Sequence, residues 1–157
     1  LATVMAQDPD LLILDDYTMG LDAGYRRLFL DYLVHYARDG GKTVLVTSHV
    51  VQDMERLVDD VIILRAGGRV LETSLADFMA TFKRFEVPAA AAPAVLPAPA
   101  APLHGVEREP DGTVTIHAFA ARPAVAAHLG ELGVETQRLV ERPMSLEDAF
   151  VGYTGKY

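Results

Sequence analysis

Two acidic residues, Asp15 and Asp16, end the apolar run Leu11-Leu12-Ile13-Leu14, and Ser48-His49 follow a second run, Thr43-Val44-Leu45-Val46-Thr47. In open parallel sheets, ligands bind beyond the carboxyl ends of the strands. Backbone N–H groups at a helix start, as expected just after His49, favour anions. Adjacent carboxylates at such an edge suit a phosphate ligand only if a divalent cation screens them. Mg²⁺ fits this demand, because it takes one or two carboxylates, directly or through water, together with phosphate oxygens. A nearby histidine could then sense or stabilise a terminal phosphate. Each signal also has a plainer reading. An acidic pair after a strand serves equally as a loop end and helix N-cap, and a lone histidine at a strand end is more often structural. His35, His104, His117 and His128 show no metal-ligand spacing. Gly40-Gly41-Lys42-Thr43 looks like the end of a phosphate-binding loop and fails twice. The pattern G-x-x-x-x-G-K-[ST] needs glycine where Tyr36 stands, and the loop should follow a strand and open a helix, whereas here it precedes a strand. Lys42 receives no phosphate role.

The elements that must position these groups are readable from periodicity. Residues 1–7 look like a helix end, stopped at Asp8-Pro9. Residues 11–14 and 43–47 are short apolar runs of the kind found in strands buried on both faces. Between them Tyr25, Leu28, Phe29, Tyr32, Leu33 and Tyr36 recur on one helical face, closed by Asp39-Gly40-Gly41. Val51, Met54, Leu57 and Val58 mark a short second helix, and 61–64 a third strand, turned at Gly67-Gly68 into a hairpin with 69–71. Strand, helix, strand, helix, strand implies parallel pairing with right-handed crossovers, hence an α/β layer. Ser74 and Asp77 form a capping-box pattern before Leu75, Phe78, Met79 and Phe82.

Residues 87–103 contain only Val, Ala, Leu and Pro, with prolines at 88, 93, 97, 99 and 102. Each interior proline costs a helix about 3 kcal/mol, so the run is expected to be a semi-rigid linker over 88–102 rather than a membrane span. The division is therefore 1–87, linker 88–102, and 103–157. In the last part, 106–109 and 113–117 flank the turn Pro110-Asp111-Gly112. Val125, Leu129 and Leu132 suggest a helix, 134–140 a third strand, and Ser145 with Asp148 a capping box before Leu146, Ala149, Phe150 and Tyr153. The order ββαβα describes a small α+β unit, marginal as a lone core at this size.

The chain has 157 residues, half of them hydrophobic, and a net charge of −8. An acidic surface argues against general nucleic-acid binding. The absence of cysteine excludes disulfides, Cys-type zinc sites and Cys nucleophiles.

In combination, and in this order, the motifs resemble the C-terminal half of an ABC transporter ATPase domain, over about residues 1–85. Residues 11–16 look like its Walker B strand, Gly20-Leu21-Asp22 like its D-loop, and His49 like its switch histidine. The fold implied is a partial P-loop NTPase sheet with helices, followed by the small α+β domain. That domain resembles the C-terminal domain of some bacterial ABC ATPases of drug- or polysaccharide-type exporters, through Ser145-Leu-Glu-Asp-Ala-Phe and Thr154-Gly155.

The resemblance implies ATP and Mg²⁺ as cofactors. It implies that Asp15 holds Mg²⁺ through water, that Asp16 polarises the attacking water, that His49 contacts the γ-phosphate, and that Asp22 sits at the seam of an ATPase dimer. Implied partners are the N-terminal half of the same domain, a second ATPase subunit and a membrane permease, with no nucleic acid. The implied location is cytoplasmic, at the inner face of the membrane. Asp16 stands where the family usually has Glu, and Tyr17 where it commonly has Pro. No phosphate-cradling loop, glutamine loop or LSGGQ-type signature occurs in these residues, so the isolated chain is expected to be inactive. Two other classes compete: a phosphoacceptor receiver domain, for which Asp59-Asp60 and the lysines are wrongly placed, and a non-catalytic regulatory or dimerisation module, which suits 103–157 best.

Overall fold

The computed structural model describes residues 2–17, 19–65 and 68–155. Leu1, Thr18 and Gly67 therefore lie outside the described residues, and with them part of the predicted first helix, D-loop segment and hairpin turn. The chain divides into two compact units, residues 1–58 and 59–157.

The first unit runs α1 (Ala2–Met5), β1 (Leu11–Asp15), α2 (Ala23–Asp39), β2 (Thr43–Thr47) and α3 (Val51–Met54). β1 and β2 pair in parallel, Leu11 opposite Thr43 through Asp15 opposite Thr47, as the strand–helix–strand order requires. Asp22 starts α2 by accepting from the N–H groups of Gly24 and Tyr25 at 2.9 and 3.0 Å. Its end is closed at Gly40-Gly41, where Gly41 takes φ 62° and Lys42 N–H returns to the Ala37 carbonyl at 3.0 Å. The core is Met5, Leu12, Leu14, Leu30, Leu33 and Leu57.

Two expectations fail here. β1 and β2 are covered on one face only: Leu12 and Leu14 are buried, whereas Leu11, Ile13 and Leu45 are 54, 65 and 50% exposed. The apolar arc of α2 is also rotated. Leu30 and Leu33 are its buried residues, while Tyr25, Leu28 and Tyr32 face solvent. An apolar surface spanning much of a helix does not specify which part meets the core.

The second unit holds β3 (Asp60–Arg65), β4 (Arg69–Ser74), α4 (Leu75–Thr81), β5 (Lys83–Val87), β6 (Leu103–Arg108), β7 (Val114–Ala118), α5 (Arg122–Glu131), β8 (Val140–Arg142) and α6 (Leu146–Thr154). β3 pairs antiparallel with β4, so the third strand belongs to a hairpin rather than to the expected parallel layer. β5 to β8 form one antiparallel sheet in the order β6-β7-β5-β8.

The observed division therefore falls at 58/59, not at 87/88. β5 draws residues 83–87 into the later sheet, because Phe85 and Val87 are fully buried in its core with Val114, Ile116, Val125 and Leu129. The expected extended linker is instead a return connection between β5 and β6. It opens with a 3₁₀ turn at Ala89–Ala91. Ala91, Ala92 and Leu96 pack on that core, and Arg108 donates to the Pro93 carbonyl. The strand expected over 134–140 is not formed there: only Val140 of that range lies in a strand, the three-residue β8 at 140–142. Ser145 caps α6 in a complete capping box with Asp148. No helix of the described residues is long and apolar enough to cross a membrane.

Candidate functional site

Three of the predicted site residues, Asp15, Asp16 and His49, lie at the carboxyl edge of β1 and β2. The register sets Asp15 opposite Thr47, and the Thr47 hydroxyl donates to Asp15 Oδ1. The backbone N–H of Asp16 donates back to the Thr47 carbonyl at 3.1 Å and to its hydroxyl oxygen at 3.2 Å. Asp16 itself adopts φ 44°, a left-handed conformation that Asp tolerates better than most residues. His49 Nδ1 lies 2.7 Å from Asp16 Oδ1. An ionised carboxylate only accepts, so Nδ1–H is the donor, and the ring's Nε2 is the nitrogen available to a ligand. His49 is largely exposed and Asp16 one-third exposed, so the pair is open to solvent.

Other predicted features resolve differently. Asp22 Oδ1 is engaged as the cap of α2, a role the sequence reading did not give it. The helix after His49 is a single turn without a side-chain cap, too short to add much of a dipole for anions. Tyr17 packs on Phe29 with ring centroids 5.3 Å apart. Its hydroxyl is buried without a hydrogen-bond partner. Burial first, and then the nearby Asp53 carboxylate, push its pKa up to about 12. Lys42 sits at the opposite, amino end of the strands. Its Nζ donates to the Asp8 carbonyl at 3.2 Å and to Asp10 Oδ1 at 3.1 Å, which accords with denying it a phosphate role.

Sequence reasoning missed Thr47, the residue that touches both aspartates. The available signal was a hydroxyl closing an otherwise apolar strand that pairs with the strand ending in Asp15. A cleft of about 240 Å³ between α2 and α3 was also unforeseen. It is lined by charged groups already paired with one another, Arg26 with Asp53 at 3.1 Å and Arg56 with Asp31 at 2.8 Å. Asp15, Asp16 and His49 do not line it.

For Mg²⁺ the donor set fits a partial site. Asp15 is exposed, and one of its oxygens is oriented by Thr47. Among the described residues no three His, Cys, Asp or Glu side chains form a metal-holding group. The edge thus offers what an ion completed by phosphate oxygens and water requires, and not a closed protein cage.

A parallel pair bearing an acidic couple and a histidine at its carboxyl edge defines the class: an α/β protein with charged groups gathered where a parallel sheet offers a ligand site. Comparison with known proteins gives the family. No protein-family profile matches the chain. A Nod factor export ATP-binding protein I of Rhizobium meliloti (strain 1021) is 35% identical over 161 residues, covering 99% of this chain and 46% of the relative. The protein of the same name from Cupriavidus metallidurans is 31% identical over 157 residues, covering 99% of this chain and 50% of the relative. That from Rhizobium johnstonii reaches 42% identity over 72 residues, 46% of this chain. The chain belongs to the family of ABC transporter ATP-binding proteins. It spans about half the length of the curated relatives it matches.

Proposed function

We propose that the first unit carries part of the ATP-hydrolysing site of an ABC transporter subunit and couples ATP binding and hydrolysis to transport through a membrane permease. The observation that carries this reading is the side-by-side placement of Asp15–Thr47 and Asp16–His49 at one strand edge.

When bound, Mg²⁺ would neutralise charge on the phosphate oxygens. Asp15 would hold it through water, its rotamer kept by Thr47. Asp16 would accept a proton from, and so polarise, the attacking water. His49, oriented by Asp16 through Nδ1–H, would donate from Nε2–H to the terminal phosphate, a contact that needs both ring nitrogens protonated. Phosphoryl transfer is mainly positioning and charge stabilisation, so these roles are sufficient for the chain's share of the chemistry. Asp22 would reach the seam of an ATPase dimer from its capping position. The partners are the remainder of the ATPase domain, a second ATPase subunit and the permease, at the cytoplasmic face of the membrane. Export, the process named for the relatives, is the direction proposed. The 157 residues contain no G-x-x-x-x-G-K-[ST] pattern, so on their own they would bind ATP at best in the millimolar range.

In the intact subunit, Asp15→Asn and His49→Ala should each abolish Mg-ATP hydrolysis with unchanged far-ultraviolet circular dichroism. Hydrolysis at the parent rate in either variant overturns the reading, as does micromolar ATP binding by the 157-residue chain in calorimetry. For the second unit, whose sheet closes its own core, we propose a non-catalytic accessory role in assembly or regulation.

A further inference from the structure

β7 alternates across its sheet. Val114, Ile116 and Ala118 enter the core shared with α5, which sends Thr115 and His117 to the other face. On that face the register places Thr115 between Glu86 of β5 and Glu107 of β6, and His117 opposite Arg84. Arg84, Thr115 and His117 line a cleft of about 330 Å³ whose lining from α6 includes Val151 and Gly152. We propose that this cleft binds an uncharged carboxamide, carried by a small free amide or by a glutamine side chain.

Two observations carry the proposal. The first is a pair of vacant hydrogen-bonding atoms. Arg84 Nε and Thr115 Oγ1 are both buried without a partner, and Thr115 is only 3% exposed. Their neighbours are committed elsewhere. Glu86, beside Thr115 in the register, accepts from Arg84 Nη2 at 2.9 Å through Oε1 and from Arg142 Nε at 2.7 Å through Oε2. Asp148 Oδ2 serves the cap of α6 through the Ser145 N–H and hydroxyl at 3.1 and 2.8 Å. Glu107, Glu109, Glu147 and His117 each have a partner already. Leaving such atoms unsatisfied is unfavourable. A ligand that removes the deficit must bring an acceptor for the Nε–H and a donor or acceptor for the hydroxyl.

The second observation is the charge of the walls. Carboxylates of Glu107, Glu109, Glu147 and Asp148 line the cleft, and like charges repel, so an added anion is disfavoured. A cation is disfavoured too, because the glutamates are already engaged and the vacant nitrogen belongs to a guanidinium, which only donates. A metal ion lacks a cage, since among the described residues no three carboxylate or imidazole groups converge on one point. A carboxamide is neutral and carries both functions. Its carbonyl oxygen would accept from Arg84 Nε–H, its NH₂ would donate to Thr115 Oγ1, and its alkyl stem would lie along Val151. A trapped water would satisfy the same two atoms but would not discriminate between solutes.

The test is methyl NMR of Thr115 and Val151 in the whole chain, titrated separately with butanamide and with Nα-acetyl-glutamine methylamide. Butyrate and butylammonium serve as charged controls of the same size. Saturable shifts with an amide are expected, with affinity for both charged controls at least about tenfold lower, and the tighter-binding amide identifies the source. Thr115→Val, which removes an unpartnered hydroxyl and so should fold, should weaken amide binding about tenfold when read at Val151. Arg84→Lys, which keeps the charge and removes the Nε–H, should do the same. The proposal is overturned by an absence of saturable shifts with either amide, as a trapped water alone would give. It is also overturned by equal affinity for butyrate or butylammonium, or by unchanged affinity in Thr115→Val.

Discussion

At the scale of residues, the 2.7 Å contact between Asp16 and His49 joins the two groups on which the nucleotide reading turns. Asp16 reaches His49 from a left-handed backbone, but its carboxylate is one methylene, roughly 1.5 Å, shorter than that of the glutamate usual at this place. A displacement near 1 Å can cost on the order of 100-fold in rate, so the parent should hydrolyse slowly and Asp16→Glu should raise turnover of the intact subunit. An equal or lower steady-state rate would count against Asp16 as the water-polarising group. Tyr17 gives a second residue-scale outcome. Its buried hydroxyl has no partner, so Tyr17→Phe should leave stability unchanged or raise it by about 1 kcal/mol in urea unfolding at neutral pH. Its phenol stays neutral in the fold to about 12, whereas the unfolded chain ionises near 10. The tyrosine's contribution is therefore intact below pH 10 and lost as pH rises towards 12. Stability of Tyr17→Phe should fall less than the parent's over that window.

At the scale of elements, what was legible was local. Ser145 and Asp148 stand three residues apart before an apolar stripe, and the structure builds the capping box they spell. The Asp148 carboxyl is held below its ordinary range, first by the Ser145 hydroxyl and then by its backbone N–H. A depressed carboxyl stabilises the fold above its unfolded pKa and ceases to do so as pH falls through the folded one. Asp148→Asn should therefore cost about 1 kcal/mol at pH 7, with the gap to the parent closing below about pH 4. A gap independent of pH in chemical unfolding would deny the carboxylate this role. What was not legible was non-local. Residues 83–87 mix Lys, Arg and Glu with Phe85 and Val87, and the partner that makes them a central strand lies about thirty residues later in β7. The proline-rich run has a composition that fits an extended spacer, yet Leu96 and its alanines find a core to cover. Asp15, Asp16 and His49 were legible because strand ends in a parallel pair are brought together by topology alone. Thr47 was not, because its hydroxyl gains a partner only once the register is set.

At the scale of the whole molecule, the four-stranded sheet of the second unit buries apolar surface more completely than the β1–β2 pair of the first or the β3–β4 hairpin, where Ile62, Leu64 and Val70 are exposed. In the second, β5 and β7 lie inside a four-stranded sheet, and Phe85, Val87, Ile116, Ala118, Val125 and Leu129 are at most 1% exposed. In the first, a two-stranded parallel pair leaves Leu11, Ile13 and Leu45 at least half exposed on one face, and α2 leaves Tyr25, Leu28 and Tyr32 bare. Apolar burial contributes about 25 cal/mol per Å², and a pair of strands without a second covering layer is marginal in water. Local opening should therefore reach the β1–β2 pair, which carries the proposed nucleotide edge, before the four-stranded sheet. Hydrogen exchange of the 157-residue chain should show amides of β1 and β2 exchanging well before those of β5 and β7. In the intact subunit, where the remainder of the ATPase domain would cover the Leu11–Ile13–Leu45 face, protection at β1 and β2 should rise while β5 and β7 change little. Equal protection of both strand pairs in the 157-residue chain would show that the bare face costs nothing. An unchanged rate at β1 in the intact subunit would show that nothing covers it.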